Sequence, residues 1–94
     1  MLYAAKCYWL GVTAAALDQV AGRAAATGLT SGTGPVSYLG CLLFATDDLV
    51  LCLFCGPSRA AVIQASGRLG IPCERLVDAA WLGPHRPSPE GSRK

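Results

Sequence analysis

The sequence predicts an α+β domain of order βαββαβ, with a four-stranded antiparallel sheet and two helices on one of its faces. Three observations predict it. Four short apolar runs are separated by breaks rich in glycine and proline. Capped segments with helical apolar spacing follow the first and the third run, and a turn-forming segment joins the two middle runs as a hairpin.

The first run, Leu2 to Leu10, is aromatic and apolar and ends at Gly11, as a strand would. Period-two alternation sets Tyr3, Ala5, Cys7 and Trp9 on one face and Lys6 and Tyr8 on the other. Thr13 is a helix cap, Val12 and Leu17 are spaced as a hydrophobic staple, and Leu17, Val20, Ala21 and Ala24 form an apolar stripe that stops at Gly28. Leu29 to Pro35 reads as a loop.

Val36 to Phe44 and Leu49 to Cys55 read as strands around Ala45-Thr46-Asp47-Asp48. With those four residues as the loop, Phe44 faces Leu49 and Cys41 faces Cys52. Gly56-Pro57-Ser58 ends the third strand, and Ser58 caps a second helix with Val62, Ile63 and Leu69 inward and Gly70 and Pro72 as its end. Glu74 to Leu82 is the last strand. Strand, helix, strand, taken twice, is the ferredoxin-like plan. It occupies residues 1–82, and residues 83–94 form a Pro/Gly/Ser-rich tail whose composition argues for disorder.

Ninety-four residues fit one domain, and only 15% of them are charged against 52% apolar, which leaves little polar surface for a monomer. The middle strands say the same locally. Val50, Cys52 and Phe54 on one face and Leu51, Leu53 and Cys55 on the other are all apolar, yet two helices shield one face only. The other face is expected to meet a second copy, giving a homodimer built as a dimeric α/β barrel.

The formal charge of +2 resides in the tail, where Arg86, Arg93 and Lys94 outweigh Glu90, so no basic surface argues for nucleic acid. No apolar run is long enough to span a membrane, and the N-terminal segment, interrupted by Gly11, Thr13 and Asp18, is a poor secretory signal. Five cysteines, an odd number, suit reduced thiols and a cytoplasmic address.

Leu51-Cys52-Leu53-Phe54-Cys55-Gly56-Pro57-Ser58, followed by Ala61-Val62, Gly70-Ile71-Pro72 and Glu74-Arg75-Leu76-Val77, is similar to the matching stretches of a family of small bacterial proteins. That family is a domain of unknown function typified by a nickel-responsive, nickel-binding protein of ferredoxin-like fold. The resemblance spans roughly Tyr3 to Leu82. It implies a small non-enzymatic protein that binds a metal ion or small ligand. The family's nickel-binding histidines fall in the first strand and second helix, where this chain has Lys6, Cys7 and Ser66. An acidic residue common before the Pro-Ser turn is replaced by Cys55.

Candidate metal ligands are Cys7, Cys52 and Cys55, for a transition metal: nickel, zinc or copper. Cys52 and Cys55 have CxxC spacing, but three residues apart on a strand they point to opposite faces unless the strand bends near Gly56. Cys7, Cys41 and Cys52 converge if the first and third strands are neighbours, giving either a soft site for copper(I) or zinc, or plain core packing. Lys6, Tyr8 and Trp9 are the candidate ligand-binding residues; Lys6 either snorkels to solvent or pairs an anionic ligand or Asp78. His85, the sole histidine, lies in the tail. No catalytic triad or phosphate loop is evident. Two other readings stand beside the first: a dimeric α/β-barrel enzyme or cyclase-like protein with a pocket between the sheets, and a protein interaction module.

Overall fold

The computed structural model describes residues 1–30 and 34–84. Its elements are β1 (Leu2–Tyr8), α1 (Ala14–Ala26), β2 (Ser37–Phe44), β3 (Leu49–Cys55), α2 (Arg59–Leu69) and β4 (Arg75–Ala79). The strands form one antiparallel sheet in the order β2-β3-β1-β4, so the α+β ferredoxin-like arrangement expected from the sequence is present. The proposed tail from residue 85 onward, with His85, lies outside the described residues, as do residues 31–33 of the first loop.

Both helices begin where a hydroxyl can accept an otherwise orphaned amide. Ala16 N–H donates to Thr13 Oγ1 and Ala61 N–H to Ser58 Oγ, each at 3.2 Å. α2 ends at Gly70, whose φ of 70° is left-handed and suits a residue without Cβ. Gly56 serves close approach instead: a Cβ there would lie 2.9 Å from Val62 Cγ2, so glycine lets the strand-to-helix turn sit against α2.

Val12 and Leu17, the expected staple, are both buried, and α1 turns Leu17, Val20 and Ala24 inward. Ala21, read as part of that stripe, is exposed. In α2 the inward set is Val62, Ala65, Ser66 and Leu69, and Ile63 is 53% exposed rather than core. The i, i+3, i+4, i+7 spacing from Val62 selects position 66, where the Ser66 hydroxyl is satisfied by donating to the Ile63 carbonyl at 2.9 Å. Tyr3, Ala5, Cys7, Val50, Cys52, Phe54 and Tyr38 complete the core from the sheet side.

The hairpin has the expected register: Phe44 faces Leu49 and Cys41 faces Cys52. A single 3-10 turn, Ala45–Asp47, carries the chain over, and Asp48 closes it in a left-handed conformation at φ 51°. One departure is an irregularity between Tyr38 and Gly40, where Gly40 takes φ 134°. A bulge there returns Tyr38 to the core opposite Phe54. β4 is shorter than the expected Glu74–Leu82, because Ala79 already pairs with Leu2 at the start of β1 and later residues run past its end.

Candidate functional site

Register divides the sheet side chains into two sets. Leu2, Ala4, Lys6 and Tyr8 of β1 stand on the face away from the helices. They are flanked there by Leu49, Leu51, Leu53 and Cys55 of β3 and by Arg75, Val77 and Ala79 of β4. Leu42 and Phe44 of β2 extend the same face. Tyr8, Leu42, Phe44 and Val77 are all well exposed, so this surface is apolar and uncovered in the single chain.

Two cations interrupt it. Lys6 on β1 lies directly opposite Arg75 on β4, a pairing of like charges that is unfavourable by itself. The face carries no Asp or Glu among the described residues. Asp78, weighed as a partner for Lys6, instead faces Tyr3 and meets Arg59 Nη1 at 3.5 Å. Lys6 Nζ lies 5.3 Å from the centroid of the Tyr8 ring, so the aromatic face supplies part of the missing negative potential. Of the three candidate ligand-binding residues, Lys6 and Tyr8 therefore come together. Trp9 does not join them, since it follows β1 and packs against the helix-side core.

The cysteines divide by the same parity. Cys7 and Cys52 are buried on the helix side at 0% and 1% exposure, whereas Cys55 is exposed on the other face near the Met1 nitrogen. The candidate set Cys7, Cys52 and Cys55 is thus split across the sheet: β3 stays extended to Cys55 and no bend brings the two thiols of the CxxC together. In its place stands a row that sequence reasoning saw only in part. Cys41 lies opposite Cys52. Cys7, which pairs with Val50, is the diagonal neighbour of Cys52 on the same face, and the Glu74 N–H bond to the Lys6 carbonyl at 2.8 Å brings the α2–β4 connection that carries Cys73 back to the end of β1.

These contacts polarise the thiols. The hydrogen bond from Cys52 holds Cys7 below the usual thiol range against the opposing effect of burial, with Cys73 helping. Cys52 is pushed well up by that same bond and by burial. Cys73 is raised mainly by burial, with the Arg75 N–H opposing. Tyr38 is raised by burial and by its hydrogen bond to Cys41. Cys73 also lines a pocket of about 350 Å³ between α2 and β4, with Arg59, Ser66, Glu74 and Arg75 around it. Among the described residues no group of three or more His, Cys, Asp or Glu side chains is placed to hold a metal ion. No described helix is long and apolar enough to cross a membrane.

These features define an α+β ferredoxin-like domain with an open apolar sheet face bearing two cations that have no acidic partner among the described residues, and a row of thiols on its covered face. The chain matches no protein-family model, no curated protein and no solved structure.

Proposed function

We propose that this chain is a small non-enzymatic binding protein that pairs with a second copy through the open sheet faces. Between them the two copies hold an apolar small molecule ending in a carboxylate, sulfonate or phosphate. The observation that carries the reading is Lys6 directly opposite Arg75 on an otherwise apolar face with no acidic side chain among the described residues. A second copy would move these like charges into a medium where their repulsion grows, and a bound anion offsets it. The bidentate Arg75 guanidinium and the Lys6 ammonium suit an oxyanion. Tyr8, Leu51 and Val77 beside them suit an apolar body.

A small ligand cannot cover the whole face. Four strands about 4.8 Å apart, with roughly 3.3 Å per residue, give a flat outline of roughly 400 Å² before side-chain relief is counted. With that relief the face approaches the roughly 600 Å² per partner of the smallest stable interfaces. The dimer expected from the sequence supplies that cover.

Anilinonaphthalene sulfonate, an apolar anion, is the probe, with uncharged Nile red as its control. A charge-assisted hydrogen bond is worth about 1.5–3 kcal/mol, so Lys6→Gln and Arg75→Gln are each expected to weaken sulfonate binding by roughly 10- to 150-fold. Nile red binding is expected to be unchanged. Sulfonate affinity unchanged from the parent in both variants, or equal loss for both dyes, would overturn the anion site. A chain that binds the sulfonate through Lys6 while remaining monomeric would overturn the second copy and leave the site.

A further inference from the structure

The thiol row lies on the opposite side of the sheet from Lys6 and Arg75 and plays no part in that reading. Cys7 on β1 and Cys52 on β3 stand one diagonal step apart on the helix-side face, since Cys7 pairs with Val50 and Ala5 with Cys52, and the Glu74 N–H bond to the Lys6 carbonyl returns the loop that carries Cys73 to the same end of β1. Cys7 and Cys52 are sealed from solvent, whereas Cys73 is half-buried and lines the pocket between α2 and β4.

We infer that Cys7 and Cys52 form a two-thiolate site for copper(I), reached from the α2–β4 pocket through Cys73. Soft thiolates select copper(I), and this ion accepts two sulfur ligands in a line. A structural zinc ion needs four ligands, so the absence of a larger donor group among the described residues argues against zinc and leaves the two-sulfur site open. Hard cations find no oxygen cage there. Loading is an exchange: copper(I) forms two Cu–S bonds and the two S–H protons leave to solvent, with no change of oxidation state. Cys73, carrying sulfur to the pocket wall, takes the ion from solvent and passes it inward to Cys7.

The experiment is an anaerobic titration of the full chain with copper(I) against a chromophoric copper(I) chelator. Expected are one ion per chain, retention against zinc and nickel, and a Cys55→Ser variant that binds like the parent. Cys7→Ser and Cys52→Ser are expected to lose more than the roughly 10- to 100-fold that removal of a merely supporting residue costs. Cys73→Ser is expected to keep the equilibrium affinity and load more slowly. Far-ultraviolet circular dichroism checks that each variant is folded. Should either core variant unfold, copper-edge X-ray absorption on the loaded parent decides, with a shell of two sulfurs expected. A chain that yields all its copper to the chelator, a loss of binding in Cys55→Ser, or a shell of nitrogen and oxygen neighbours would overturn the site.

Discussion

Leu51 sits at the centre of the open face, with Lys6 beside it on β1 and Leu42 beside it on β2. Replacing it by serine removes an apolar side chain from the middle of the proposed interface without touching the helix-side core. Full burial of a leucine from water is worth about 1.5–3 kcal/mol. Leu51 is already half-buried by its neighbours in the single chain, so pairing gains about half of that per copy. Twofold symmetry counts the change twice, giving about 1.5–3 kcal/mol per dimer and a dissociation constant raised roughly 10- to 150-fold. Sedimentation equilibrium over a range of chain concentrations reads that constant, and circular dichroism confirms that the variant keeps its fold. An unchanged dissociation constant, or a parent chain that is monomeric throughout the range, would refute the reasoning.

Phe54 is fully buried, opposite Tyr3 and Tyr38, with its ring 5.4 Å from that of Tyr38. Phe54→Ala is expected to cost about 3–5 kcal/mol and to lower the urea midpoint by at least about 1 M, as measured by fluorescence or circular dichroism. Alkaline pH acts through Cys52, whose thiol is raised in the fold from an ordinary value of 9.0. Above that value the unfolded chain loses the Cys52 proton while the folded chain keeps it, so stability falls as pH rises, by up to about 1.4 kcal/mol per pH unit for this group. The lowered Cys7 acts in the opposite direction and only below 9.0, so it leaves that decline in place. Urea midpoints between pH 8 and 11 are expected to drop less steeply in Cys52→Ala than in the parent.

Much of the sheet was legible because two local signals agree in it. The period-two alternation of β1 and β3 assigned Lys6 and Tyr8 to one face and Cys7 and Cys52 to the other, and the four-residue connection fixed Cys41 opposite Cys52. The bulge before Gly40 was not legible, since a strand glycine by itself does not distinguish a bulge from ordinary pairing; it lies outside the hairpin end and so left Cys41 in register. Ile63 was misplaced because hydrophobicity was read where helical phase decides, and the phase awards the inner position to Ser66.

The sites depended on longer-range geometry. The opposition of Lys6 and Arg75 exists only once β1 and β4, far apart in the chain, are paired. Cys73 follows a glycine and a proline in a connection with no periodicity, and only the return of that loop to the end of β1 brings it to Cys7. Cys55 shows the converse: CxxC spacing suggests a shared ligand set, but extended backbone sends its two thiols to opposite faces.

The most direct measurement is amide chemical-shift mapping of the nitrogen-labelled full chain titrated with anilinonaphthalene sulfonate. A site between Lys6 and Arg75 predicts that the largest shifts fall along β1, β3 and β4 at Lys6, Tyr8, Leu51, Arg75 and Val77, and that they vanish in Lys6→Gln. Shifts concentrated in α2 and the pocket beside Cys73, with the strands unmoved, would contradict it.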